Sequence, residues 1–334
     1  MRPDRRAFLA SLAAVAAARP TFGQDVAGTV ATVTGEVPVR DLGVVLMHEH
    51  VMVDFIGAEQ VSRSRYDAEE VFRVALPHLQ QARELGCRTL VECTPAFLGR
   101  NPTLLRRLSR ESGLHIISNT GYYGAAADKH LPAHAHRESA RQLADRWIGE
   151  AKQGIESSDM LPGFMKIGVD GGPLSDIDRK IVEAAALTHK ATGLPIASHT
   201  GDGTAAHQEL DVLQEQGVPL EAFIWVHAQG EGDQAHHRRA AERGAWVEFD
   251  GIGPDSVDQH VQLVKSMADA GHLGRVLVSH DAGWYHVGEP GGGAFRPFDT
   301  VFRAFVPAIR EALGEAAVTQ LLVTNPARAL ARRG

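Results

Sequence analysis

The stretch Val44-Val45-Leu46-Met47-His48-Glu49-His50, or VVLMHEH, joins four apolar residues to two histidines separated by one residue. A short apolar run of this kind is typical of a buried strand. Residues two apart in a strand point to the same side, so we expect His48 and His50 to share one face and Glu49 to face the other way. The stretch therefore predicts a strand whose end directs two imidazoles to one point.

Further apolar runs follow along the chain, and amphipathic stretches with helical spacing separate them. The runs, counted from the first, are 43–47, 88–93, 114–119, 163–169, 194–199, 222–227, 245–249 and 275–280. One helical stretch begins after the predicted N-cap Ser175, has an acid at Asp178, and ends at Gly193. Eight alternating strand–helix units in about 300 residues predict an α/β fold, a (β/α)8 TIM barrel. An open doubly wound sheet is the alternative, but no glycine-rich phosphate turn follows the first strand.

Composition limits the classes of protein that fit this chain. The chain has 334 residues, 44% of them hydrophobic, and no linker of flexible composition divides it, so we predict a single barrel domain over residues 35–334. The net charge is −7 and no basic stripe is present, which argues against a nucleic-acid partner. Cys87 and Cys93 flank one predicted strand and would lie about 20 Å apart, so we expect two free, buried thiols.

Residues 1–23 have the layout of a signal peptide. A basic start is followed by an apolar run from Ala7 to Ala18 and by small residues. The pair Arg5-Arg6 before Ala7-Phe8-Leu9 resembles a twin-arginine export signal, which predicts an exported, periplasmic protein. The apolar run is too short for a permanent membrane anchor, which needs about 20 residues. An amphipathic or disordered N-terminus is the alternative.

Chemically active side chains recur at the carboxyl ends of the predicted strands. They are His48 and His50 on the first strand, Lys166 within the fourth, His199 on the fifth, His227 on the sixth, and His280-Asp281 on the eighth. In a barrel these ends meet at one face. Imidazoles and carboxylates are ligands that zinc takes. One His-x-His pair is weak evidence among 17 histidines, and each histidine alone could be a buried side chain bonded to a carbonyl. The recurrence on separate strands predicts a metal centre.

Strand alternation assigns directions to two further side chains. Lys166 alternates with Phe164 and Gly168, so it is expected to point inward. A buried ammonium is costly unless it finds a partner or loses its charge, and an amine beside a metal could be chemically modified. Trp225 lies two residues before His227 on the same predicted strand, so its side chain is expected to point the same way and to lie deeper in the barrel interior.

In order and spacing, this set resembles the ligands of the phosphotriesterase-like family of the amidohydrolase superfamily. Supporting stretches are LMHEHV (46–51), GYY (121–123), LVSHDAGW (277–284) and NPARAL (325–330). The resemblance implies two divalent metal ions, with zinc the expected identity. It implies these ligands: His48, His50 and Asp281 for the more buried ion, His199 and His227 for the more exposed ion, and Lys166, carboxylated by carbon dioxide to N6-carboxylysine, as the bridge. A metal-bridging hydroxide would attack an ester-type bond while Asp281 accepts its proton.

The sequence departs from the family where phosphotriesterases relay a proton outward. They have an acid soon after the sixth-strand histidine and a histidine after the seventh-strand aspartate. Here residues 228–230 read Ala-Gln-Gly, and Gly251 follows Asp250. Glu231 or Asp233 could substitute only loosely. We therefore expect a lactone or carboxylic ester as substrate rather than a phosphotriester.

Three alternatives stay open: a phosphotriester (organophosphate) hydrolase, a metal-binding pseudoenzyme without turnover, and a mononuclear amidohydrolase such as a deaminase. The bridging role of Lys166 argues against the last. The resemblance also allows a homodimer. Loop residues that could line the substrate pocket are Tyr122, Tyr123, Asp250, Trp284 and Tyr285. Aromatic walls suit an uncharged, partly apolar small molecule.

Overall fold

A computed structural model describes residues 28–332. The predicted export signal at 1–23 lies outside these residues. An antiparallel hairpin, β1 (Thr29–Thr32) and β2 (Gly35–Pro38), precedes the barrel. Within residues 28–332, no helix is both long enough and apolar enough to cross a membrane.

Parallel strands close into the predicted (β/α)8 barrel. In chain order they are β3 (Val45–Val53), β4 (Thr89–Glu92), β5 (His115–Ile117), β6 (Asn119–Thr120), β7 (Phe164–Val169), β8 (Ile196–Thr200), β9 (Phe223–Val226), β10 (Trp246–Phe249), β11 (Val276–Val278) and β12 (Ala282–His286). β5 and β6 are two pieces of the third barrel strand, and β11 and β12 are two pieces of the eighth. β12 pairs in parallel with β3, and the Asp281 N–H donates to the His48 carbonyl at 3.0 Å, which closes the ring.

Helices follow the strands and cover the barrel. They are α1 (Ala68–Glu84), α2 (Pro102–Ser112), α3 (Ala133–Arg137), α4 (Ala140–Gln153), α5 (Asp176–Thr192), α6 (Gly203–Glu215), α7 (Gln234–Glu242), α8 (Val257–Asp269), α9 (Val306–Leu313), α10 (Glu315–Thr319) and α11 (Asn325–Leu330). The expected caps of α5 are confirmed. Ser175 and Asp178 form a reciprocal capping box, and Gly193 ends the helix with φ 71°.

Two apolar layers lie on the two faces of the sheet. The interior layer contains Val45, Met47, Phe164 and Trp246 and is closed at the amino-terminal end by chain segments that include Leu330. The larger outer layer packs the strands against the helices. Because both faces of a parallel barrel are buried, its strands read as continuous apolar runs.

One expectation about buried side chains was wrong and one was confirmed. Trp225 lies in the outer layer, 5.3 Å from the His237 ring of α7, whereas Ile224 and Val226 face the interior. Cys87 and Cys93 are free and buried, as expected.

Candidate metal centre

A β-bulge sets the direction of the first two histidines. Leu46 pairs with Leu90 and Glu49 pairs with Glu92, so β3 has one residue more than β4 over this interval. Met47 faces the barrel interior, and simple alternation would turn the next side chain, His48, toward the helices. The extra residue lets His48 face inward directly after Met47. His48 and His50 therefore share the mouth of the barrel.

Left-handed backbone conformations aim three further side chains at the mouth. His227, Asp281 and Trp284 have φ values of 65°, 52° and 73°. Non-glycine residues adopt this region rarely, and such strain clusters at functional sites. At His227 the conformation changes the direction of the side chain after Val226, which faces the interior.

The predicted imidazoles and the Asp281 carboxylate meet at one place. His48 Nε2 and His50 Nε2 lie 3.2 Å apart, and Asp281 Oδ1 lies 3.1 Å from His50 Nε2. The ring centroids of His48 and His227 are 4.9 Å apart, and those of His199 and His227 are 4.4 Å apart. Two groups have ligand atoms close enough to hold one ion each: His48, His50 and Asp281, and His48, His227 and Asp250.

Besides His48 Nδ1, which has the Asp250 carboxylate at 3.0 Å, two polar atoms of this cluster are buried without a hydrogen-bond partner among residues 28–332. They are Lys166 Nζ and Asp281 Oδ1. Lys166 is 2% exposed, and its positive charge lowers the pKa of His48, after the larger effect of burial. Buried polar groups are nearly always satisfied, so these two atoms indicate a missing ligand. A donor set of imidazoles, a carboxylate and a modifiable amine fits divalent metal ions.

Three of the imidazoles are oriented by polar partners at their Nδ1 atoms. His50 Nδ1 donates to Thr94 Oγ1 at 2.8 Å, because that hydroxyl already donates to a carbonyl. His227 Nδ1 donates to Asp250 Oδ1 at 2.7 Å, and His48 Nδ1 lies 3.0 Å from Asp250 Oδ2. A proton on Nδ1 leaves the Nε2 lone pair free for a metal ion. One carboxylate, Asp250, thereby orients two of the histidines.

Burial keeps the His48 and His50 imidazoles neutral, because it lowers the pKa of each to about 3. Burial would raise the pKa of Asp250, but the neighbouring His227 and His48 and the hydrogen bonds they donate hold it well below the usual range. Burial raises the pKa of Asp281 to about 6. The site therefore offers neutral imidazoles and a carboxylate poised to take up a proton.

The predicted pocket residues occupy three different places. Tyr123 lies at the mouth with its hydroxyl 3.2 Å from His199 Nδ1, and the Trp284 ring lies 4.7 Å from the His50 ring. Tyr122 packs against Trp147 and Tyr285 against Gly292, so both rings lie in the helix layer. Asp250 is fully buried behind the imidazoles.

The two acids considered as relay substitutes are bound to backbone groups. Glu231 accepts hydrogen bonds from the N–H groups of Gly203 and Asp233 at 2.8 and 2.7 Å. Asp233 caps α7 by accepting from Ala235 N–H. Neither belongs to a group of potential metal ligands within residues 28–332.

His280 has a supporting role beside the site. Its Nδ1 lies 2.6 Å from Glu49 Oε1, and its Nε2 accepts from Val301 N–H at 2.9 Å. Glu49 also accepts from Ser279 and Ala282, so it ties β3 to the eighth strand.

The sequence interpretation did not find the orienting role of Asp250 or of Thr94. Asp250 could have been found by its position, because it directly follows β10 as the other site residues follow their strands. Phe55 and Arg296, which lie beside the Trp284 ring, were also not found. Phe55 has the same positional signal, because it lies two residues after β3, whereas Arg296 is brought to the site by the bridge between its backbone and Gly283.

Comparisons with known proteins agree with this geometry. The chain is 29% identical over 292 residues to the phosphotriesterase homology protein of Escherichia coli K12, covering 86% of this chain and 97% of that one. The organophosphorus hydrolase of Deinococcus radiodurans superposes with a TM-score of 0.81 at 26% identity, covering 92% of this chain and 98% of that one. A structure described as organophosphate hydrolysis engineered from a weak promiscuous lactonase template gives a TM-score of 0.81 at 26% identity, with coverage of 91% and 100%. Residues 28–330 match the model of the phosphotriesterase family, and the chain is a member of that family.

Proposed function

We propose that this protein hydrolyses a lactone or carboxylic ester at a centre of two divalent metal ions, with zinc the expected identity. The observation that carries the proposal is the convergence of the ligand set around two buried, unpartnered atoms, Lys166 Nζ and Asp281 Oδ1. His48, His50 and Asp281 would hold one ion, and His199 and His227 the other. The metal ions would supply Lewis-acid polarisation and a water of lowered pKa.

Lys166 would act as the bridge after carboxylation. The ammonium would lose one proton to become an amine, Nζ would form a bond to the carbon of carbon dioxide as one C=O π bond opens, and the nitrogen would lose a second proton, so that a cation becomes an anionic carbamate. The residue is 2% exposed and has no hydrogen-bond partner among the described residues. A carbamate would replace a costly buried cation by an anion that offsets the charge of the metal ions.

Asp281 would hold the proton that hydrolysis releases. Its Oδ1 lies 3.1 Å from His50 Nε2, so it stands where the ligand set would hold the reacting water, and burial favours its protonated form. Its side chain is 21% exposed, so the proton can leave to solvent. Tyr123 and Trp284 would position the substrate, because they stand at the mouth beside His199 and His50.

The preference for a lactone or carboxylic ester rests on the acids near the centre. Asp250 is fully buried and bonded to His227, and Glu231 and Asp233 bind backbone N–H groups. None of the three is placed to carry a proton outward from Asp281. The similar solved structures include an organophosphorus hydrolase and a lactonase template engineered for organophosphate hydrolysis, so the preference rests on the acids and not on the comparisons.

An activity panel tests the proposal. Protein loaded with zinc, manganese or cobalt is assayed on dihydrocoumarin, p-nitrophenyl acetate and paraoxon, with chelated protein as the control. We expect metal-dependent turnover, with a higher kcat/KM on the lactone or the ester than on paraoxon. Higher activity on paraoxon would favour phosphotriester hydrolysis, and bound metal without turnover on any of the three would favour a pseudoenzyme.

Metal analysis tests the binuclear centre separately. We expect two ions per chain and an increase in metal content with bicarbonate. One ion per chain, unchanged by bicarbonate, would favour a mononuclear amidohydrolase.

Periplasmic export and dimer formation are further proposals. Export rests on residues 1–23 alone, and changing Arg5-Arg6 to Lys-Lys should retain the protein in the cytoplasm. A homodimer rests on the family resemblance, and its test is the mass of the purified protein in solution.

A further inference from the structure

The backbone of Arg296 is fixed against the metal centre. Gly283 and Arg296 form an antiparallel bridge with N–H···O distances of 3.0 and 2.8 Å. Gly283 lies so close to β3 that a Cβ atom there would stand 1.7 Å from the His50 carbonyl oxygen. The loop that carries Arg296 is thus held to the strand that carries two metal ligands.

The guanidinium of Arg296 is also held in place at the rim. Its carbon lies 5.0 Å from the centroid of the Trp284 ring, and Nη2 donates to the Asp281 carbonyl oxygen. The Trp284 ring in turn lies 4.7 Å from the His50 ring. Stacking on Trp284 and one hydrogen bond therefore hold the guanidinium in place, with the Trp284 ring between it and the predicted metal ligand His50.

The Arg296 guanidinium has N–H donors that form no hydrogen bond within residues 28–332. Arg296 is exposed, and among residues 28–332 no carboxylate lies within ion-pair distance of it. A guanidinium carries five N–H donors in a planar fork that matches a carboxylate, and only one hydrogen bond from it is formed here.

An apolar surface lies beside the cation. Phe55 is 40% exposed although it is a large apolar side chain, and its ring lies 5.4 Å from the Trp284 ring. His286 completes the group at 5.8 Å from Trp284. A substrate reaching the metal centre past this wall would meet aromatic rings first and a positive charge at their edge.

We propose that Arg296 forms a subsite for a carboxylate substituent of the substrate, with Phe55 and Trp284 contacting the apolar part between that carboxylate and the scissile bond. This inference rests on the proposed ester hydrolysis and narrows its substrate class to carboxylate-bearing lactones or esters. A neutral carbonyl can accept a hydrogen bond from this guanidinium, but only a carboxylate forms a charge-assisted, bidentate planar pair with it. This proposal differs from the expectation of an uncharged substrate, which stays a prediction, and the assay below decides between the two.

Paired substrates test the subsite. Metal-loaded wild type, Arg296→Gln and Arg296→Lys are assayed on 4-nitrophenyl hydrogen adipate and on its neutral methyl ester. We expect Arg296→Gln to lower kcat/KM on the acid by roughly tenfold to a hundredfold, mainly through KM, and to change the neutral ester by less than about twofold. Arg296→Lys should restore part of the loss, because the charge remains without the fork. Arg239→Gln on α7 removes an exposed charge elsewhere and is the matched control.

Binding without turnover separates this inference from the proposed function. Monomethyl adipate is titrated calorimetrically into chelator-treated wild type and Arg296→Gln, and we expect about tenfold weaker binding to the variant. Equal losses on both esters, or equal binding to both proteins, would overturn the subsite and leave Arg296 as a loop support. Failure of the wild type to hydrolyse either ester would count against the proposed function, and the titration would still decide the subsite.

Discussion

The two ends of the barrel are built from opposite kinds of side chain. The amino-terminal end is filled by apolar residues such as Val45, Phe164 and Trp246 and is covered by both ends of the described chain. The carboxyl end carries the imidazoles, the unpartnered buried atoms Lys166 Nζ and Asp281 Oδ1, and the positive φ values of His227, Asp281 and Trp284. One end is a packed apolar layer, whereas the other has a cluster of polar groups that a ligand would satisfy.

This comparison indicates that the residues that stabilise the fold and the residues that would bind metal lie at opposite ends of the same strands. Residues in sparsely populated φ/ψ regions cost on the order of 1–3 kcal/mol each, so His227 and Asp281 keep their conformations only because the surrounding barrel holds them. The apolar end provides that support. Substitutions at the two ends should therefore separate into losses of metal and losses of stability.

The largest effect is expected for Lys166→Ala at the mouth. The variant should lose metal and activity by more than the 10–100-fold cost that is typical of a residue outside the ligand shell. Thermal stability of the metal-free protein should change little or rise, because a buried unpaired amine is removed. Metal content, kcat/KM and partial rescue by propionate measure this. Full activity in the variant would remove the bridge from the proposal.

Trp246→Ala at the opposite end should have the reverse pattern. The side chain is fully buried, and its Nε1 donates to the Glu221 carbonyl at 3.0 Å. Removing it should lower the free energy of unfolding by about 3–5 kcal/mol. The metal content of the folded fraction should be unchanged, and Trp246→Phe, which keeps most of the ring volume, is the control. A loss of metal affinity from folded Trp246→Ala would contradict the separation of the two ends.

Asp250→Asn tests, at the carboxyl end of the barrel, whether a residue that orients two metal-binding histidines contributes to metal affinity. The carboxylate is not one of the six predicted ligands, but it orients His48 and His227. An amide keeps the size and removes the charge, so metal affinity should fall roughly 10–100-fold. Zinc titration in a competing chelator measures the loss. An unchanged affinity would mean that the two histidines hold their positions without this carboxylate.

The smallest effect is expected for Glu209→Gln, which concerns the pH dependence of stability. Glu209 accepts hydrogen bonds from Ser198 and Thr200, and burial raises its pKa to about 8. The folded state keeps a proton that the unfolded state releases above about pH 4.5, so the free energy of unfolding falls as pH rises toward 8. The slope is at most about 1.4 kcal/mol per pH unit.

Denaturation of wild type and Glu209→Gln at pH 6, 7 and 8 checks this effect. The stability difference between them should shift in favour of the variant as pH rises, with the exposed-site variant Glu69→Gln as the control. A difference that does not change with pH would show that Glu209 is ionised in the folded state at neutral pH.

Much of the architecture was predictable because each apolar run is local. The runs at 163–169 and 245–249 correspond to β7 and β10, and the caps of α5 were read from Ser175 and Gly193. Alternation correctly placed Lys166 inward after Phe164. It failed at Trp225 because β9 runs straight to Val226 and the chain then turns left-handed at His227.

By itself the sequence determined the number and order of the strands, the identity of the residues at their carboxyl ends, and the family resemblance that those residues carry. These follow from hydrophobic periodicity and from residue type, which are local properties. The directions of several site side chains depend on the tertiary structure. The bulge before His48, the positive φ of His227 and Asp281, the carboxylate shared by two imidazoles, and the loop that brings Arg296 to the rim all depend on contacts between distant segments. A closed barrel imposes these contacts through strand register and close packing, so they cannot be predicted from a local sequence pattern.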